Sequence, residues 1–477
     1  METIAGMSSN KYKKLFSNTL ILTVGTFGSK LLVLLMLPLY TGILSTAEYG
    51  VADLIAQCSN FLIPLFALGL YKGVFRFTAD NTHDETACFS TGVILTLAGT
   101  AAFLLLSPLL WLVDAFHGYA WLIVLYVTAA IWHYLLAQFV RGRDQSRLFA
   151  FQGILNTVVT VTLNVLFLVA FRMGVVGYVL SVVIGDTVTS VFLLFSAKIY
   201  RVFSFSRWNG SLARDLIRYS LPLIPADLFW WVTDLSDRFL VTYICGEEIN
   251  GIYAVAYKIP TLITLVSGVF SEAWQYSAVN ESGNVSEYRA FFAKVYCGFS
   301  SVMFLAGSGL IWLNQWLCSW LFAPDYYTAW ESVPWLLLAT VFTSLVTFLG
   351  TKYMVDLRSV RSMWTAAVGA LLNVVLNLFL IPRFGAVGAA AATFASYLCV
   401  YCFRAYHVAR DSISVSVLRT VLNTVFLLGQ TFLLSAQVPH VFLWEAGFVV
   451  LTAIFNARPL LMAVNDVISS FRRRRSV

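Results

Sequence analysis

The stretch LNVLFLVAFRMGVVG, residues 163–177, returns late in the chain as LNLFLIPRFGAVG, residues 376–388. Each reads as the end of one apolar helix, a tight turn with one arginine, and a Gly-x-x-Gly start to the next helix. The glycines are Gly174 and Gly177, then Gly385 and Gly388. A second pair precedes them in the same order: YTGILSTAEYGVA from Tyr40 lies beside VTYICGEEINGIYA from Val241. In both, a long apolar run ends, a short acidic turn follows, and a glycine (Gly50, then Gly251) opens the next run. Two matches in one order at similar offsets, each bracketing six apolar runs, point to an internal duplication.

A helix needs about 20 mostly apolar residues to cross a bilayer. Fourteen such runs lie near 15–43, 48–75, 87–112, 119–140, 148–171, 176–200, 216–244, 250–279, 291–313, 333–355, 361–381, 385–409, 415–435 and 441–465. Of the 477 residues, 59% are hydrophobic and 12% charged, against about 25% charged in soluble domains. That excludes a soluble globular enzyme, a disordered chain and a fibrous one. The expected fold is an all-α polytopic membrane protein of about fourteen transmembrane helices. Two six-helix lobes related by a pseudo-two-fold, 1–205 and 206–410, would be followed by helices 13 and 14 and a basic cytoplasmic tail, 411–477. Six is even, so both copies enter from the same side, and matched lobes around a central cavity are transporter architecture.

The net charge of +7 matters less than where the charges fall. With both termini cytoplasmic, 26 of the 31 Lys and Arg lie at inner ends, including Arg472 to Arg475. Arg172 and Arg383 lie in outer loops, and Lys30, Arg238 and Lys258 fall inside spans. This is the positive-inside pattern; it implies a multi-pass protein of a cytoplasmic membrane and no nucleic-acid partner. The longest outer loop, near 314–332, carries Trp316, Trp320, Tyr326, Tyr327 and Trp330, as an interfacial aromatic belt would. The seven cysteines have no disulfide spacing, and Cys399-x-x-Cys402 has no partner pair for a metal. No nucleotide-binding loop, nucleophile elbow or His-Glu-x-x-His is present. No cofactor and no enzyme activity are expected.

Ionised groups within spans cost about 2.5–3.5 kcal/mol each on insertion scales and face wet cavities or one another. They are Lys30, Asp53 and Asp186 in the first half, then Asp227, Asp234, Asp237, Arg238, Lys258 and Glu272 in the second. Most fall in spans 1, 2, 7 and 8, the same positions in each half. Lys30, Arg238 and Lys258 would present positive charge to a phosphate. Asp53, Asp227, Asp234, Asp237 and Glu272 are candidate cavity or ion-coupling acids. Several have plainer alternatives: an i,i+4 pair for Asp234 and Arg238, headgroup contact for Asp53 and Glu272, and a structural partnership with a polar neighbour for Asp186. Trp230, Trp231, Tyr253, Tyr257, Trp274 and Tyr276 accompany this set, as do Pro38, Pro64, Pro222, Pro225 and Pro260, which would kink the same four spans.

Three stretches carry a resemblance: LPLYTGILSTAEYGVADL from Leu37, YSLPLIPADLFWWVTDLSDRFLVTYICGEEINGIYAVAYKI at 219–259, and LNVVLNLFLIPRFGAVGAAAAT at 372–393. They resemble the Wzx-type flippases of lipid-linked oligosaccharides, in the MOP superfamily shared with the MATE multidrug exporters and the lipid II flippases. The resemblance implies a flippase, not an enzyme, that moves an undecaprenyl-pyrophosphate-linked oligosaccharide across a bacterial or archaeal cytoplasmic membrane by alternating access. It implies coupling to Na+ or H+ and a cavity role for Asp237 and Arg238, which lie in the family's recurrent seventh-span pattern. Membrane lipids and other polysaccharide-assembly proteins would be its partners. The alternative is a Na+- or H+-coupled MATE-type exporter of drugs or metabolites, with a lipid II flippase ranked behind it.

Overall fold

The computed structural model describes residues 32, 34–79, 84–116, 118–280, 285–356 and 358–475. Among these, every regular element is a helix. Ten helices are long and apolar enough to cross a membrane, or eleven when the bent pair Glu247–Ala256 and Thr261–Ser271 counts as one span.

The difference from fourteen has three local causes. The Ser359–Arg410 helix is two helices meeting at Gly385, whose φ of 56° and ψ of −134° break the helical path. The Ile224–Cys245 helix stands where the seventh span is expected, but its four charged residues dilute its hydropathy. Most of the first expected span, Lys30 included, lies outside the described residues; its end is the Leu37–Ile43 helix.

By internal contacts the chain forms two compact units that divide between Leu235 and Ser236. In the first, the Ala120–Gly142 helix is the spine. Its Leu122, Val127 and Ile131 pack with Val51, Leu54 and Ile55 of Thr46–Phe66 and with Val175 and Val179 of Gly174–Ser196. Further along, its Leu135 and Phe139 meet Val74, Phe89, Leu212 and Leu216. In the second unit Val333–Val355 is the most enclosed span, with 72% of its apolar window buried. Phe348 sits at its centre, ringed by Phe270, Trp274, Phe292, Tyr296 and Phe299.

Lipid tails are as apolar as leucine, so these helices associate through close packing and polar contacts rather than through escape from water. Small residues set the approach: a Cβ at Gly185 would meet Thr160 Oγ1, and one at Gly369 would meet Val400 at 2.5 Å.

The two sequence repeats share a backbone device. Gly174 and Gly385 adopt φ of 55° and 56°, a left-handed conformation that costs an L-residue roughly 1–2 kcal/mol. Gly177 and Gly388 then lie against the end of the preceding helix, at Phe167 and at the Leu380 carbonyl. Pro260 lies at the break between Glu247–Ala256 and Thr261–Ser271, where the path turns by 48°. The aromatic loop is less uniform than an interfacial belt. Trp316 and Trp320 are 60% exposed, but Tyr326 and Trp330 are buried because the Pro324–Glu331 turn folds against Glu247–Ala256.

Candidate functional site

Asp237 lies in the Ile224–Cys245 helix and is fully buried. Four neutral donors converge on its carboxylate. Asn377 Nδ2 donates to Oδ1 at 2.5 Å. Thr393 Oγ1 at 2.6 Å, the Tyr253 hydroxyl at 2.8 Å and the Tyr257 hydroxyl at 3.2 Å donate to Oδ2. A hydrogen bond to a charged group contributes about 1.5–3 kcal/mol. Four of them outweigh the roughly 2.5–3.5 kcal/mol that a charge costs at mid-span.

The local sequence arranges this. Asn373 and Asn377 stand one turn apart on one face of the helix that precedes Gly385, and Thr393 stands on the helix that follows it. The second Asn377 amide hydrogen goes to Asn373 Oδ1 at 3.1 Å, which also accepts the Ser236 hydroxyl at 3.1 Å. Asn373 Nδ2 donates to Thr393 Oγ1 at 3.3 Å. Tyr253 and Tyr257 are likewise one turn apart.

Arg238, the next residue, is 3% exposed. Its guanidinium carbon lies 4.1 Å from the Tyr257 ring centroid and 5.5 Å from that of Tyr253. A desolvated cation–π contact is worth about 2 kcal/mol. Tyr257 therefore offers its hydroxyl to the Asp237 carboxylate and its ring face to the Arg238 cation.

Chemically, one carboxylate sits among the amide oxygens of Asn373 and Asn377, the Thr393 hydroxyl and the Ala389 carbonyl, to which Thr393 lies 2.9 Å. Asn377 Oδ1 is buried without a hydrogen-bond partner. Oxygen donors of this kind suit a proton or a hard cation. Among the described residues no three His, Cys, Asp or Glu gather as metal ligands.

The other expected residues are placed as follows. Lys258 is half-buried at the bend after Glu247–Ala256, directly after Tyr257. Asp53 is 7% exposed on Thr46–Phe66 in the first unit, with Gln57 Nε2 3.5 Å from its Oδ1. Lys30 and the side chains of Asp227, Asp234 and Glu272 lie outside what is described. Of the accompanying aromatics, Tyr253 and Tyr257 join the site, whereas Trp274 stacks on Phe348 at 4.6 Å as packing.

Sequence reading missed Asn373, Asn377 and Thr393. The available signal was two amides at i,i+4 in an otherwise apolar run. The first repeat carries a similar clasp, with Asn164 Nδ2 donating to the Tyr40 hydroxyl at 3.1 Å. Also missed was His133, whose Nδ1 lies 2.9 Å from Asp186 Oδ1. Asp186 does have polar neighbours, His133 and Asn156.

The second unit also holds a groove of about 1050 Å³, walled by Thr261–Asn280, Val285–Trp312, Val417–Ser435 and Val441–Arg475. Val266, Phe270, Phe299, Val302, Leu422 and Met462 make it mainly apolar, and Lys294, Arg419 and Arg458 add three cations. Arg419 is braced by Asn456 Oδ1 at 3.3 Å and the Phe455 carbonyl at 2.9 Å.

Comparison with known proteins bears on the family and the fold. The family described as polysaccharide biosynthesis protein matches residues 15–274, more than half of the chain. Among curated proteins none matches at a significant level. Several solved structures share the fold. The lipid II flippase MurJ in an inward closed conformation is 13% identical, with a TM-score of 0.70 over 94% of this chain and 100% of its own. An inward-facing multidrug resistance MATE family transporter of the MOP superfamily is 13% identical, with a TM-score of 0.66 over 82% of this chain and 95% of its own. A MOP superfamily transporter from Pyrococcus furiosus is 12% identical, with a TM-score of 0.60 over 84% and 97%.

Proposed function

This chain belongs to the polysaccharide biosynthesis protein family, and from that premise we propose that it is a flippase for a polyprenyl-diphosphate-linked oligosaccharide. It is a multi-pass membrane protein with the fold of MOP-superfamily transporters. In this reading it carries the glycan from the cytoplasmic to the outer face of a bacterial or archaeal cytoplasmic membrane by alternating access, with both termini cytoplasmic. It acts as a transporter without enzyme chemistry.

The observation that carries the reading is the groove of the second unit. A long apolar wall beside Lys294, Arg419 and Arg458 suits a ligand that joins a long hydrocarbon to an anionic head. A polyprenyl diphosphate is such a ligand. Lys30, Arg238 and Lys258 are assigned to the diphosphate during passage. Arg238 is held over the rings of Tyr257 and Tyr253 here, so its engagement requires the seventh span to shift. A Na+ or H+ gradient drives the cycle through one or more of Asp53, Asp227, Asp234, Asp237 and Glu272. One charge crossing 100 mV is worth about 2.3 kcal/mol, enough to bias two states about fiftyfold.

The test is transport of undecaprenyl-diphosphate N-acetylglucosamine, made fluorescent, across proteoliposomes containing the purified chain. Movement above that of empty vesicles, lost with Arg238→Glu and Lys258→Glu together, is the expected result. Wild-type rates equal to empty vesicles would discard the reading for this lipid class. The likeness to the MATE transporter supports a second reading, a cation-coupled exporter of drugs or metabolites. Drug resistance conferred on a sensitive host, without any effect on surface glycan, would favour it.

A further inference from the structure

His133 lies in the middle of the Ala120–Gly142 helix and ties three helices of the first unit together. Its Nδ1 is 2.9 Å from Asp186 Oδ1 on Gly174–Ser196. Its Nε2 is 2.8 Å from Gln152 Oε1 on Ser146–Val165. Asn156, one turn beyond Gln152, donates from Nδ2 to the same Asp186 oxygen at 2.8 Å.

Both ring nitrogens thus face oxygen. A neutral imidazole offers one N–H and one acceptor. With the Gln152 oxygen turned toward the ring, as here, it cannot satisfy both contacts against an ionised carboxylate, whereas a turned Gln152 amide would donate to a neutral Nε2. In this orientation the arrangement needs one more proton, held as imidazolium against carboxylate. That pair has zero net charge. Removing that proton leaves a neutral ring beside a carboxylate, and a net negative charge in an apolar layer is costly. The remaining ring lone pair would then face the Gln152 oxygen and loosen the contact between Ala120–Gly142 and Ser146–Val165. The two side chains keep 12% and 13% of their exposure.

Other titratable groups around the pair are tyrosines. Tyr134 is stacked beside the ring at 6.1 Å, and Tyr126 on the same helix interacts with Asp186. Tyr178 lies on the helix of Asp186, and Tyr71 from Leu70–Ala79 is 5.6 Å from the Tyr134 ring with Lys72 Nζ 5.9 Å from its own. On the remaining neighbours, Asp53 faces Gln57 and Glu85 pairs with Arg143.

We propose that His133 and Asp186 form a proton-binding site of the first unit, loaded while the three helices are packed as here and unloaded when they part. The step is balanced: imidazolium and carboxylate give neutral imidazole, carboxylate and one released H+. The site stands on its own geometry; its use as the coupling proton of transport rests on the flippase reading above.

The chain has five histidines, so ring ¹⁵N NMR of the full protein in lipid nanodiscs can resolve them, with His133→Gln identifying the signal. Between pH 5 and 9 the His133 ring is expected to pass from two protonated nitrogens to one in a single step. Asp186→Asn, which keeps shape, is expected to move the midpoint by at least one pH unit, a tenfold change in proton affinity. A His133 ring with one protonated nitrogen at every pH, or a midpoint unmoved by Asp186→Asn, overturns the proposal. Glycan export in cells provides the separate arm. A titrating His133 in a protein that restores no export preserves the site and sinks the flippase reading. Restored export with a silent His133 does the reverse.

Discussion

Asn377 places its amide nitrogen 2.5 Å from the carboxylate of Asp237, a residue 140 positions earlier in the chain. The contact joins the helix before Gly385 to Ile224–Cys245, and it is the shortest of four donors that hold a carboxylate in an apolar layer. Several consequences can be measured.

Asp237→Asn keeps the volume but replaces one acceptor oxygen with a donor facing Asn377 or Thr393. The protein is expected to reach the membrane in normal amount and to lose at least tenfold in glycan export in a strain lacking its own flippase. Immunoblotting of membranes beside surface-glycan staining checks both. Normal export would remove Asp237 from the coupling acids.

Thr393→Val deletes one hydrogen bond to a buried carboxylate and is expected to cost about 1.5–3 kcal/mol, whereas Thr393→Ser should stay close to wild type. Thermal unfolding of the purified protein in one detergent compares the three. Equal melting temperatures for Val and Ser would mean that the hydroxyl does not hold the carboxylate.

Gly388→Ala drives a methyl group into the backbone carbonyl of Leu380, where nothing flexible can yield. Gly447 has no atom within 4 Å of the same addition. Fluorescence-detected size exclusion should show Gly388→Ala aggregated or destabilised and Gly447→Ala unchanged. Indifference at Gly388 would contradict the close approach at the second turn.

Lys294→Glu with Arg458→Glu reverses two of the three cations of the groove while sparing the braced Arg419. Photo-crosslinking to a diazirine-bearing polyprenyl diphosphate should fall at least fivefold, and crosslinking to the corresponding uncharged polyprenol should change little. Equal loss for both probes would point to a damaged groove rather than to lost charge recognition.

The spans were legible because a bilayer demands runs of about 20 apolar residues, and composition records such runs directly. A helix, Ile224–Cys245, stands where the seventh span is expected, although its charges keep it out of the apolar set. The paired glycine turns were legible because a left-handed backbone leaves few residue choices. Asp237 and Arg238 could be singled out as charges in an apolar run. Tyr253 and Tyr257 could be named among the accompanying aromatics, but the partners from the helices around Gly385 could not: Asn377 and Thr393 are ordinary polar residues until helix rotation aims them at a carboxylate. His133 was passed over for the same reason, since a single imidazole in a span announces nothing until Asp186 stands 2.9 Å away.

By itself, then, the sequence determined that this protein is an all-α, multi-pass membrane protein, and where the two matching glycine turns fall. Each of these follows from local chain chemistry and length. Tertiary structure alone decided which embedded charges are satisfied and by whom, because contacts such as Asn377 with Asp237 depend on the rotation and depth of helices far apart in the chain. It likewise decided that apolar faces from four helices leave a cation-lined groove, since the shape left between packed surfaces is a property of none of them singly.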